Sequence, residues 1–190
     1  EAMANYMTLL GWSVPEGINE KFKISEISEV FSFKKVNKAS AKFDWDKLNW
    51  LNSQVIHEMS AETLLKNLDP LLKKNGWCIP SKEWGIHLVS LLGPSMVLIN
   101  DGVDQAKPFF EEPELSDDGK KQLEIKEAAV ILKFILQKLE SSDAASFSKE
   151  EALDLINQTT KNCEVKKGLV MKCLRAALFG TLNGPDLIQS

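Results

Sequence analysis

The chain has 190 residues, 44% of them hydrophobic and 26% charged, and carries a net charge of −4. Such proportions describe an ordinary globular protein, long enough to bury a real core in one domain or two small ones. They exclude a broad basic coat for indiscriminate nucleic-acid binding; three cysteines without CxxC spacing and only two histidines exclude zinc and disulfide frameworks, leaving buried reduced thiols as the expectation.

Apolar residues recur at three- and four-residue steps, and no alternating strand pattern appears, so the chain reads as all-α. Ala2 to Leu10 is a helix stopped by Gly11, and the direct opening at Glu1, with no leader pattern, suggests a fragment or a mature product. A loop through Pro15 and Gly17 leads to a short helix near Ser25–Phe31. Asp44 and Asp46 then supply an N-cap and an acidic first turn, where carboxylates suit unpaired backbone N–H groups and the positive end of the helix dipole. Behind them Leu48, Leu51, Val55 and Ile56 make one apolar face, with Lys47, Asn49 and Asn52 beside it as donors. Trp50 and Trp45 read as core aromatics, as do Tyr6, Trp12, Trp77 and Trp84.

Ser60 caps a helix over Ala61–Lys74, ended by Asn75-Gly76. Pro80-Ser81 begins another that runs to about Leu92, and Pro94 starts the next from its tolerated first-turn position. The uncharged run from Trp84 to Asn100 contains this Gly93-Pro94 break, so it reads as two buried helical pieces and not as a membrane span. Pro108 to Gly119 is polar, acidic and the best candidate boundary. Ile125, Ala128, Leu132, Ile135, Leu136 and Leu139 mark a long amphipathic helix, and Ser148-Lys149-Glu150-Glu151 is a capping box. Val165 to Gly180 carries the last full helix, and Asp186–Ser190 looks like the start of one more.

Charge is unevenly placed. Lys34, Lys35, Lys38, Lys42 and Lys47 crowd one stretch, and Lys161, Lys166, Lys167, Lys172 and Arg175 another. Glu111, Glu112, Glu114, Asp117 and Asp118 form an acidic block between them. Two basic islands on an acidic body suit an RNA met at defined places; ordinary solvated lysine clusters are the alternative. Arg175 is the only arginine in the chain. Against a lysine-rich background, that points to a need for a planar five-donor fork, such as single-stranded bases accept on their edges; a surface ion pair is the plain alternative. No glycine-rich phosphate loop, nucleophile–base pair or metal-ligand cluster is present, so no catalytic residue and no metal site are assigned.

Three segments resemble one family. Phe43-Asp44-Trp45-Asp46-Lys47-Leu48-Asn49-Trp50-Leu51-Asn52 is similar to the signature just past the catalytic domain of bacterial-type glutamyl-tRNA synthetases, and Asn5-Tyr6-Met7-Thr8-Leu9-Leu10-Gly11-Trp12-Ser13 resembles the element shortly before it. Leu174-Arg175-Ala176-Ala177-Leu178-Phe179-Gly180, followed by Gly184-Pro185-Asp186-Leu187, resembles the anticodon-binding segment, with Phe179 in place of a frequent threonine and Gly184 in place of a frequent hydroxyl residue.

The resemblance implies a stem-contact helical module over 1–57, then anticodon-binding subdomains over 58–110 and 111–190, the last truncated. It implies that Arg175, Gly184, Pro185 and Leu187 meet the anticodon. It also puts Gly93 and Ser95, in the turn Leu91-Leu92-Gly93-Pro94-Ser95, at the third anticodon base, where members confined to tRNA-Glu present an arginine before the proline. Glycine there suggests a non-discriminating enzyme that also charges tRNA-Gln; a simple helix C-cap is the structural alternative. Lys47 and Asn52, with Lys35, Lys38 and Lys172, would meet stem and backbone phosphates. The family handles ATP, Mg and glutamate in a Rossmann-type domain with HIGH-like and KMSKS-like motifs, neither found here, so the chain should begin just after the second and need no cofactor itself.

The partners implied are tRNA-Glu, tRNA-Gln and, downstream, a tRNA-dependent amidotransferase or glutamyl-tRNA reductase, with no membrane and a monomeric state. A bacterial cytoplasm is the implied setting, with a plastid or mitochondrion as alternatives. The competing reading is a helical protein-docking module without RNA binding, supported by the acidic block at Glu111–Asp118.

Overall fold

A computed structural model describes residues 1–37, 41–141 and 148–190, and among them helices account for all the regular structure apart from one isolated bridge between Trp12 and Val36. The chain divides into two compact units, Glu1–Asp104 and Gln105–Ser190.

In the first unit α1 (Ala2–Leu9) packs on α3 (Trp45–His57). Ala2 and Tyr6 of α1 meet Leu48 and Leu51 of α3 in one buried cluster, flanked by Leu9, Leu10 and Val55. The cap expected at α3 is made, with Asp44 Oδ1 accepting from the Lys47 N–H at 3.0 Å. Tyr6 takes the adjoining donor, its hydroxyl accepting from the Asp44 N–H. Asn5 is buried, and both ends of its amide are paired: Nδ2 donates to the Glu20 carbonyl at 2.9 Å and Oδ1 accepts from the Phe22 N–H at 3.1 Å. This pins the loop to α2 (Ile24–Ile27), a shorter helix than the expected Ser25–Phe31, beside a cluster of Trp12, Phe22 and Ile27.

Helix α4 (Ala61–Lys74) runs from its Ser60 cap through Pro70. Proline removes one backbone donor there, yet Leu64, Leu68 and Leu72 remain buried on one stripe, and packing of that stripe sustains the helix. Helix α5 (Lys82–Leu92) begins at its Ser81 cap and packs on α4. Pro94 does not open a full helix. Gly93–Ser95 is a single 3-10 turn that ends in extended backbone at Met96. Asp101 Oδ2 then accepts from the Val97 and Leu98 N–H groups at 2.9 and 2.7 Å, reaching back three and four residues and bending the chain into α6 (Asp101–Ala106).

In the second unit α8 (Lys126–Glu140), α9 (Lys149–Asn162) and α10 (Lys167–Phe179) enclose Ala128, Ile131, Ile135, Ile156, Val170 and Cys173. The expected apolar stripe of α8 is buried only as far as Ile135: Leu136 and Leu139 are exposed, and Ile131, absent from the expectation, is a core residue. The capping box at α9 forms in both directions, Ser148 N–H to Glu151 Oε2 at 2.8 Å and Glu151 N–H to Ser148 Oγ at 3.2 Å. Helix α7 (Asp117–Leu123) packs on α10. Cys173 is buried, Cys163 half-buried and Cys78 exposed, so the expectation of three buried thiols fails at Cys78. Asp186–Ser190 closes one turn, with Asp186 Oδ1 accepting from the Ile188 N–H at 2.8 Å.

Candidate nucleic-acid interface

Within the second unit α10 (Lys167–Phe179) supplies both Arg175 and a fixed exit. Gly180 closes the helix in the left-handed conformation (φ 72°), which a residue with a Cβ adopts at a cost. A Cβ there would also strike the Glu114 carbonyl, and one at Gly119 would strike the Gly180 carbonyl. The chain can therefore cross itself closely, and the Ser116 N–H donates to the Gly180 carbonyl at 2.9 Å. The glycine of the Leu174–Gly180 segment is thus required by the crossing.

Beyond Gly180 the chain folds back over α10. Arg175 Nη1 donates to the Pro185 carbonyl at 2.8 Å, and the guanidinium lies 5.9 Å from the centre of the Phe179 ring. Gly184 has φ 138°, and its missing Cβ would sit 3.4 Å from Arg175 Nη1 and 3.8 Å from the Phe179 ring. Arg175, Gly184 and Pro185 are therefore brought together, with Leu187 half-buried two residues further on. Phe179 belongs to this group, although the sequence marks it only as a departure; it is 7% exposed and rests on Phe109 at 5.8 Å between ring centres.

Exposed Lys161, Lys166, Lys167 and Lys172 lie in the same unit, Lys172 one turn before Arg175. The acidic block is partly neutralised. Lys107 pairs with Glu114 at 2.9 Å and holds that carboxyl below the usual range, and the Ser116 hydroxyl lowers Asp118 in the same direction.

In the first unit Gly93 caps α5 with right-handed backbone (φ −48°), so its glycine is not explained by a left-handed cap geometry. It is buried, and a Cβ would meet Leu64 Cδ2 at 3.1 Å. Ser95 Oγ donates to the Leu92 carbonyl at 2.8 Å. Asn52 Nδ2 donates to the Val97 carbonyl at 2.6 Å, which ties α3 to the segment after the Gly93–Ser95 turn. Lys47 Nζ pairs with Glu20 at 2.7 Å. Lys35 is exposed in a 3-10 turn, Phe33–Lys35, and Lys38 lies outside the described residues.

Trp50 and Trp45 correct the expectation of core aromatics, being 46% and 67% exposed, while Tyr6 and Trp12 are buried and Trp77 and Trp84 half-buried. The spacing carried the signal for Trp50, which lies about 200° around the helix from Leu48 at about 100° per residue. It lines a hollow with Lys21, Lys23 and Gln54. Among the described residues no cluster of His, Cys, Asp and Glu is placed to hold a metal, and no helix is long and apolar enough to cross a membrane.

A family model described as an anticodon binding domain matches residues 48–190. A glutamate–tRNA ligase of Prochlorococcus marinus is 88% identical over the whole chain, and one of a Synechococcus species is 55% identical over the same span. The chain spans about 40% of the length of each. Among solved structures, a glutamate tRNA ligase from Elizabethkingia meningosepticum in complex with its amino acid aligns with all of this chain and 37% of its own (TM-score 0.89, 29% identity). The glutamate-tRNA synthetase of Elizabethkingia anophelis aligns with all of this chain and 36% of its own (TM-score 0.85, 28% identity).

Proposed function

The chain belongs to the anticodon-binding domain family, and from that premise we propose that it is the tRNA-reading part of a glutamate–tRNA ligase. The observation that carries this is the extent of the family match, 48–190, which takes in both the Gly93 turn and the Arg175–Leu187 segment. Titrating the protein with tRNA-Glu and with a transcript altered only in the anticodon tests it. The altered transcript should bind more weakly at every salt concentration; equal binding removes the proposal.

In this reading residues 1–57 form a stem-contact module, and 58–110 and 111–190 are two anticodon-binding subdomains. Arg175, Gly184, Pro185 and Leu187 form the surface for splayed anticodon bases, with Gly93 and Ser95 at the third. Exposed Lys35 and Lys172, with Lys38, meet phosphates and set register without reading sequence. Lys47 joins them after exchanging Glu20 for a phosphate, and Asn52 serves the stem contact by holding α3 to the Val97 segment. The parent protein attaches glutamate to tRNA-Glu with ATP and Mg in a part outside this chain. The setting is a bacterial cytoplasm.

Discrimination follows from Gly93. With no side chain there, neither C nor G at the third anticodon position meets a donor or a clash, so tRNA-Gln is accepted beside tRNA-Glu. The misacylated product then passes to a tRNA-dependent amidotransferase, and glutamyl-tRNA-Glu is also open to a reductase. Gly93→Arg should weaken tRNA-Gln at least roughly fivefold while sparing tRNA-Glu, the scale of one bidentate base contact. Because the new Cβ presses on Leu64, Gly93→Ala serves as the control that isolates steric disturbance. If the arginine variant accepts both tRNAs as before, the relaxed-specificity reading fails.

A further inference from the structure

We propose that His57 is a binding residue for the third anticodon base: the base enters a hollow between the end of α3 and the end of α5 and stacks on the His57 ring. This rests on the reading above that brings that base to the Gly93 turn, and it names what holds a base for which Gly93 has no side chain. The hollow measures about 420 Å³, room for a single nucleobase, and Gly93 and Pro94 form part of its lining. Its floor is apolar, made by buried Leu64 and Val89 with half-buried Met59 beside them.

Two polar side chains line the hollow, His57 and Ser90. Ser90 donates its hydroxyl proton to the Ile86 carbonyl at 2.7 Å, so it offers the hollow only an acceptor. The His57 ring is exposed and, among the described residues, has no hydrogen-bond, ionic or ring partner. Its place is nonetheless fixed. It is the last residue of α3, where the Met59 N–H reaches back to the Ile56 carbonyl at 3.0 Å, and Asn52 ties the same helix to Val97, just past the Gly93 turn. No carboxylate is among the described residues that line the hollow, and Glu58, next to His57, pairs with Lys21. An aromatic ring therefore stands ready at the edge of an apolar slot that carries no negative charge. Stacking on an imidazole face needs no particular base edge, because every base has a π-face. His57 thus adds affinity for C and G alike at the position where Gly93 adds no discrimination.

Binding of three transcripts tests the seat: tRNA-Glu, the same RNA with G at the third anticodon position, and the same RNA with an abasic ribose there. His57→Ala should weaken the first two about tenfold, the scale of one base stacked on an aromatic ring, and leave the abasic transcript unchanged. His57→Phe should restore both affinities. The slope of log affinity against log salt should stay as in wild type, since no phosphate contact is lost. Ser90→Leu leaves His57 in place and fills the hollow from an exposed position on α5, so it should weaken the two intact transcripts in the same way.

A loss in His57→Ala that is equal on intact and abasic transcripts overturns the seat, as does no loss on either. So does rescue by His57→Lys but not by His57→Phe, because a charge on the backbone is then what the RNA meets. Wild-type protein that binds the abasic and intact transcripts alike removes the anticodon reading of the Gly93 turn, and the seat with it; that result is seen before any variant is made, so the two failures are told apart.

Discussion

Glu164 is the one described non-glycine residue with positive φ, at 54°. It follows the Cys163 cap of α9, and the Val165 N–H reaches back to the Thr160 carbonyl at 3.2 Å, closing a Schellman-type end in which glycine is favoured. Glu164→Gly relieves the strain of a side chain in left-handed backbone, and stability should rise by about 0.5–1 kcal/mol in a denaturant titration, after the entropy glycine adds to the unfolded chain. The cysteines offer a second reading at this scale. Burial pushes the Cys173 thiol up, against a weaker lowering by the Gln122 amide. A thiol reagent at neutral pH should therefore modify exposed Cys78 first and Cys173 last, followed by mass spectrometry of timed samples. Composition predicts burial for any free cysteine, so Cys173 was legible and the exposure of Cys78 was not. Exposure at Cys78 arises from its place just past the glycine-terminated end of α4, before the next helix begins.

Helix starts were the most legible elements, because a cap is local chemistry. Asp44, Ser60, Ser81 and Ser148 each accept from the N–H three residues on. The Ser148 box makes a prediction. Glu151 is held below the usual carboxylate range by the Ser148 backbone N–H and then by its hydroxyl. A carboxyl with a depressed folded pKa stabilises above its unfolded value, so this support is present at neutral pH and is lost as pH falls through the ordinary carboxylate range and below it. Ser148→Ala should cost about 1 kcal/mol at pH 7 by thermal melting, and the difference from wild type should shrink in acid. What sequence pattern missed at this scale depends on residues distant in the chain. The helix expected from Pro94 stops after one turn because Asp101 captures the Val97 and Leu98 amides. On α8 the period marks an apolar stripe but not how far along it the partner helices cover, so Leu136 and Leu139 stay exposed.

Across the whole molecule, net charge and its distribution govern how an RNA would be met. With a net −4, attraction for an RNA would be confined to the lysine islands, and in the proposed reading those lysines position without specifying. Replacing Lys166, Lys167 and Lys172 together by glutamine should weaken all tRNAs alike and lower the slope of log affinity against log salt by about 2 to 3, at roughly 0.7–0.9 for each phosphate no longer neutralised. Retained anticodon preference in that variant would separate affinity from reading. The islands were visible in the sequence; the pairing of Lys47 with Glu20 was not, since it joins positions far apart in the chain. The same is true of the crossing at Gly180, where the Ser116 N–H finds its acceptor 64 residues later. A ribosome making about 5–20 residues per second delivers Ser116 roughly 3–13 s before that acceptor exists. During synthesis the start of α7 waits unsealed for that interval, and the second unit becomes complete only when nearly all of it has been made.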